Sequence, residues 1–271
     1  MSRLRYSLLE RNVLRARYCA ASTAKRLFTG QRRKPIIFIH VPKAGGSSIV
    51  AYVKACAGTR QSGKSVGLEW SPGLIQDSDV RAARLAAFCT GHISWATFLD
   101  IRRDRDVFAF TFLRHPEERI RSLYHFMKAM GGTLGEQLLP GITKMSPTDF
   151  ASCQDPRFRF WIDDYITRQF GGSFDTFPNS MSDERELVSS AKQNLASLDF
   201  VGFFDRFDMG FRDLIRRAEL PRVASAPRYN VTSELDGARA DAGFDERTTY
   251  LLSQRLRLDM ELWEFARQRF L

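Results

Sequence analysis

The chain has 271 residues, 44% hydrophobic and 27% charged, the composition of an ordinary globular protein long enough for one large domain. Its net charge of +10 belongs to one end: residues 1–34 hold ten Lys/Arg against Glu10 alone, and the other 237 residues sum to +1. Widely spaced Cys19, Cys56, Cys89 and Cys153 argue against zinc and a disulfide framework, and no run approaches 18 apolar residues, so no membrane-spanning helix is expected.

In the leader, Leu4, Leu8, Leu9, Val13, Leu14 and Tyr18 fall at near-helical spacing among arginines. A basic amphipathic helix of this kind suits an anionic membrane surface; the bland alternative is a solvated leader. Nucleic acid is not expected, because no recognition module comes after it. Tyr18 to Ala24 is too polar and short for a signal-peptide core, so the expected setting is cytoplasmic.

The body is read as residues 35–271. Pro35-Ile-Ile-Phe-Ile is a buried strand, and Ile49, Tyr52, Val53 and Cys56 then take up helical spacing. Between them stand His40, Lys43, Ala44, Gly45, Gly46, Ser47 and Ser48. Glycines admit an anion to the backbone, and a helix start offers unpaired N–H groups, so the turn reads as an oxyanion cradle. A tight, well-capped connection is the bland alternative.

Gly58 to Asp79 reads as a loop-rich insertion, and Arg81 to Ala87 as a helix end or a lead into Ala87–Ile93. Trp95 to Arg103 is helical, Val107 to Leu113 a second strand, and Pro116 to Met130 a helix. Short helices occupy Thr148 to Phe170. A helix over Asp183 to Leu198, a third strand over Asp199 to Phe204, and helices over Phe207 to Glu219 and Phe244 to Phe270 complete the chain. The alternation predicts a single α/β domain with a mainly parallel sheet flanked by helices.

Arg114 stands at the end of the second strand. On the next helix Ile120, Leu123, Tyr124 and Met127 form the apolar stripe, with Ser122 on the opposite side flanked by Arg119 and Phe126. A guanidinium fork and a hydroxyl so spaced can share one phosphate, although Arg114 could instead pair with Glu117 or Glu118.

Val41-Pro-Lys-Ala-Gly-Gly-Ser-Ser resembles the 5′-phosphosulfate loop of sulfotransferases that use 3′-phosphoadenosine 5′-phosphosulfate (PAPS). Arg114, eight residues before Ser122, resembles their 3′-phosphate element. The likeness is to the carbohydrate, 2-O-sulfotransferase-like branch of sulfotransferase family 2, and runs from about Pro35 to the C-terminus through Gly91-His-Ile-Ser-Trp, Phe200–Phe207, Ser225–Val231 and Leu262–Ala266. It implies a P-loop-kinase-like fold and sulfuryl transfer from PAPS to a carbohydrate or glycolipid hydroxyl without a metal. It also implies donor binding by Lys43, Ala44, Gly45, Gly46, Ser47, Ser48, Arg114, Ser122 and Arg228, with Lys43 on the leaving phosphate and His92 as general base. Many relatives carry Thr where this chain has Ala44. His40 is the second candidate base, Glu117 and Glu118 are further alternatives, and His115 and His125 are left as surface or supporting residues. Trp70, Trp95 and Trp161 could stack on sugar rings but suit packing better. Bacterial surface glycans, glycolipids and small molecules are all possible acceptors.

Two rival readings stand beside this one. Gly58-Thr-Arg-Gln-Ser-Gly-Lys-Ser satisfies the P-loop pattern of a kinase or NTPase, with Asp205 the one Walker-B-like acid, but that motif requires a strand before it and a helix after it. Here a helix precedes it, and Val66 to Gly73 on its far side do not read as helical. The other rival is a non-catalytic anion- or membrane-binding module driven by the leader.

Overall fold

The apolar run before the first turn forms strand β1 (Ile36–Ile39), every residue of which is buried. It lies at the centre of a five-stranded sheet in a computed structural model that describes residues 8–29, 33–57, 65–68, 75–132, 134–223, 226 and 243–271. The other strands are β2 (Ser65–Leu68), β3 (Phe88–Gly91), β4 (Phe108–Leu113) and β5 (Phe200–Phe203). All pairs are parallel, in the order β2-β3-β1-β4-β5, so the α/β class with a parallel sheet is as the sequence predicted.

The described residues group into two compact units. Met1–Leu113 with Ser197–Tyr229 contain the whole sheet, together with helices α1 (Leu8–Thr29), α2 (Gly46–Ala57), α3 (Asp77–Leu85) and α4 (Trp95–Arg102). After β5 a 3-10 turn (Phe204–Arg206) leads to α11 (Phe207–Arg217) in the same unit. From β1 the chain travels out to β2, back through β3, and then to β4 on the other flank of β1. The direction of winding therefore reverses beside β1, where open α/β sheets place ligands at strand carboxyl ends.

Two of the five strands differ from expectation. β2 falls inside the stretch read as a loop-rich insertion, and β3 inside Ala87–Ile93, for which the sequence predicts no element. Each has only four residues and includes a glycine, too little for a periodicity signal. Their pairing supplies the order instead: Ser65 aligns with Phe88, and Phe88 with Ile36.

The leader forms a helix over Leu8–Thr29 that packs against α2. Leu14 is buried, and the Arg33 guanidinium lies 5.0 Å from the Tyr18 ring. Part of its apolar face is thus used within this unit. Leu4 lies outside the described residues.

Arg114–Ala196 with Asn230–Leu271 form the second unit, which is helical: α5 (Pro116–Met130), α6 (Leu134–Leu138), α7 (Pro147–Ser152), α8 (Pro156–Ile162), α9 (Tyr165–Gly171), α10 (Met181–Ala196), α12 (Glu246–Arg255) and α13 (Arg257–Phe270). The starts of α9 and α13 cap each other. Asp164, the residue before α9, accepts from the N–H groups of Leu258 and Asp259 at 2.8 and 2.9 Å. Asp259 in turn accepts from Ile166 N–H at 3.2 Å and from Thr167 N–H and Oγ1 at 2.7 and 2.9 Å. Each carboxylate answers the orphan donors of the other helix.

That exchange explains a correction on α5. The sequence places Arg119 on a polar face beside Ser122, yet Arg119, Ser122 and Phe126 are buried along with the apolar stripe. Arg119 donates to the Trp161 carbonyl at 3.0 Å and sits 4.0 Å from the Asp259 carboxylate. Its counter-charge comes from α13, more than a hundred residues away, so nothing local predicts its burial.

Candidate anion-binding loop and general base

In the first unit the loop leaves β1 through buried His40, Val41 and Pro42 and turns sharply at Lys43. Lys43 adopts φ 67° and Gly45 φ 85°, with Ala44 between them outside that region. Alternating handedness of this kind turns successive N–H groups toward one side, the geometry of an anion nest. A non-glycine residue held left-handed costs about 1–2 kcal/mol, so the strain at Lys43 is sustained by its surroundings. Ala44 N–H donates to Val41 O at 3.3 Å and Ser48 N–H to Gly45 O at 3.2 Å, long bonds that close the turn onto α2. Ser48 is buried, Ser47 is exposed, and Lys43 and Gly45 are partly exposed.

Both glycines are also demanded by packing. A Cβ on Gly45 would stand 2.8 Å from Phe207 Cε2, and one on Gly46 would stand 1.8 Å from His40 Nε2. The loop is therefore braced from within by the ring of Phe207 and the imidazole of His40. Sequence spacing gives no sign of either brace.

His92 comes directly after β3, the neighbour of β1, so it emerges at the same carboxyl edge as the loop. It is 1% exposed, and its Nδ1 lies 2.8 Å from the His40 carbonyl oxygen. A carbonyl only accepts, so Nδ1 carries the proton and Nε2 is the basic nitrogen of the neutral ring. The backbone N–H of His92 donates to Leu68 O at 3.2 Å, fixing the residue to β2 as well. The imidazole of His40 packs against that of His92 with centroids 4.4 Å apart and planes tilted by 34°. The tautomer of His92 is thus set by the backbone contact to the His40 carbonyl.

In the second unit, Arg114 comes directly after Leu113, the last residue of β4. Its side chain is 20% exposed, and Nε donates to Glu118 Oε2 at 3.4 Å. Burial pulls its pKa down while Glu118 holds it up. The pairing with Glu118 weighed from the sequence is therefore present, as a long contact to a half-exposed carboxylate. Ser122, two turns into α5, is buried.

The remaining candidates separate cleanly. His115 packs edge-on against Trp263, and His125 lies against Tyr124 and Phe244. Trp95 and Trp161 are buried, Trp95 tilted against Phe98 and Trp161 stacked on Tyr165, which removes them as sugar platforms. Trp70 and Arg228 lie outside the described residues. Of the P-loop-like stretch, Gly58 to Lys64 lie outside them too, but it is preceded by α2 and followed by β2, a strand where that motif needs a helix. Asp205 is exposed in the 3-10 turn. Among the described residues no cluster of three or more His, Cys, Asp or Glu could hold a metal ion, and no helix is long and apolar enough to cross a membrane.

Residues 26–266 match the family model described as "Sulfotransferase family", a span that takes in the loop, His92, Arg114 and Ser122. No curated protein matches the chain. The chain belongs to sulfotransferase family 2 and is a transferase of sulfuryl groups.

Proposed function

We propose that the protein moves the sulfuryl group of PAPS to a hydroxyl of a carbohydrate or glycolipid acceptor, in the cytoplasm, with His92 as the general base. The observation that carries the reading is the tautomer of His92, fixed by the His40 carbonyl at the sheet edge where the glycine loop also begins. The donor set suits PAPS: an alternating-handed turn, a 12-residue helix beginning at Gly46, a lysine and two hydroxyls, all of which favour a doubly charged oxyanion. PAPS supplies an activated sulfuryl group whose displacement leaves charge on the 5′-phosphate. In this reading Lys43 and the N–H groups of the Ala44–Ser48 turn hold that phosphate. Arg114 and Ser122 hold the 3′-phosphate, with Arg228 as a further contact.

His92 Nε2 takes the acceptor hydroxyl proton, while Nδ1–H keeps its bond to the His40 carbonyl and so spreads the new charge. General bases of this kind contribute about 10²–10⁴-fold, and a well-placed oxyanion donor about 3–4 kcal/mol. The test is transfer of labelled sulfate from PAPS to glycan and glycolipid fractions. Wild type should label one fraction, and His92→Gln should lose about 10²–10⁴-fold while still binding adenosine 3′,5′-bisphosphate. Full turnover by His92→Gln would remove histidine from the base role.

We also propose that the leader touches anionic membrane by charge rather than by insertion. Supporting this, the Leu14 and Tyr18 side of α1 faces into its own unit, and Arg11, Arg15 and Arg17 are exposed. Basic residues near an anionic leaflet contribute about 1 kcal/mol each and are screened by salt.

A further inference from the structure

We infer that His40 is a positioning residue linking the anion loop to the general base, an inference that rests on the reading of His92 as that base. Its side chain continues a file of rings that begins in the sheet. Phe110 and Phe38, register partners on β4 and β1, stack with centroids 4.7 Å apart and planes 6° from parallel. Phe38 stacks on His40 at 5.0 Å and 19°, two residues on along the same strand direction and hence on the same face. His40 then meets His92 at 4.4 Å.

The backbone takes the same course. Phe38 pairs with Thr90 and Ile39 with Gly91, and the His40 N–H extends the ladder by donating to Gly91 O at 2.9 Å. The next pair in register is His40 with His92. His40 therefore holds the base twice, by its carbonyl on Nδ1 and by its ring against the imidazole.

The edge of that ring occupies the place a side chain on Gly46 would need. Gly46 is the first residue of α2 and part of the anion loop. The imidazole of His40 thus fills the gap between loop and base, and anything that shifts the loop shifts the base through it. Phenylalanine could fill most of this volume; a non-aromatic side chain could not stack in the file.

Full-length protein labelled with ¹⁵N-histidine tests this near pH 8.5, with the His92 resonances assigned through His92→Gln. Wild type and His40→Phe should both show the Nδ1-protonated tautomer of His92, and His40→Gln an averaged one. Gly46→Ala, which has to displace the His40 ring, should move the His92 signal in the wild-type background and leave it unmoved once His40→Gln is present. Adenosine 3′,5′-bisphosphate should shift His92 in wild type at least threefold more than in His40→Gln.

An equal effect of Gly46→Ala in both backgrounds, or none in either, overturns the link. So does a His92 tautomer indifferent to His40→Gln. Bisphosphate binding without a coupled His92 response overturns the role of His40 alone. A coupled response without any bisphosphate binding overturns the donor reading, and the positioning role with it.

Discussion

The exchanged caps of α9 and α13 make two isosteric substitutions behave in opposite ways. Asp259 uses both oxygens: Oδ1 takes the Thr167 N–H and hydroxyl, while Oδ2 takes the Ile166 N–H and faces Arg119. Asp259→Asn sets an amide donor against a donor and leaves the fully buried Arg119 without its carboxylate. Breaking a buried ion pair on one side costs about 3–5 kcal/mol, a large share of a typical 5–15 kcal/mol. Asp164 uses Oδ1 alone, for two N–H donors, and sits at φ 42°, where asparagine is at home. Burial and the neighbouring Asp259 push its carboxyl up to about 8.

A raised carboxyl pKa means the folded state binds more protons than the unfolded chain between about 4 and 8, so stability falls as pH rises across that window. Asp164→Asn should therefore lie within about 1 kcal/mol of wild type near pH 5, exceed it at pH 9, and flatten that part of the pH profile. Urea unfolding monitored by tryptophan fluorescence measures both variants. A loss below about 1 kcal/mol for Asp259→Asn, or a comparable loss for Asp164→Asn, would refute the account of the caps.

The first unit yields further expected outcomes. Gly45→Ala should cost about 1–3 kcal/mol in unfolding experiments and weaken bisphosphate binding, because φ 85° and the ring of Phe207 both resist a methyl group. Deleting residues 1–34 should abolish salt-sensitive sedimentation with anionic vesicles and leave labelled sulfate transfer measurable. It should also lower the melting temperature, since the surface of α2 against which α1 packs becomes exposed. If the truncated protein still sediments with vesicles, the leader is not the contact.

How much of this was legible in the sequence depended on length and locality. Strands β1, β4 and β5 and helix α5 announced themselves through continuous apolar runs, a proline at N1 and a clean change of period. β2 and β3 did not, because four residues carry no period and their pairing is decided by partners elsewhere in the chain. The turn after β1 was readable as a candidate anion site from its glycines, lysine, serines and the helix start that follows. Its bracing was not: Phe207 lies more than 160 residues from Gly45, and the His40 ring reaches Gly46 through a fold-dependent turn. His92 was legible as a candidate only through resemblance. Its tautomer depends on a carbonyl 52 residues upstream, brought into place by parallel pairing of β1 with β3. Arg119 misled for a related reason, since its charge is answered from α13.

Calorimetric titration decides whether the glycine loop and Arg114 serve a PAPS-type donor. Adenosine 3′,5′-bisphosphate and Mg-ATP would be titrated in parallel into wild type, Arg114→Ala and Lys64→Ala. Metal-independent bisphosphate binding is expected, weakened by about 10–100-fold in Arg114→Ala through loss of a charged phosphate contact and unchanged in Lys64→Ala. Binding of Mg-ATP in place of the bisphosphate, lost on Lys64→Ala, would contradict a PAPS-type donor.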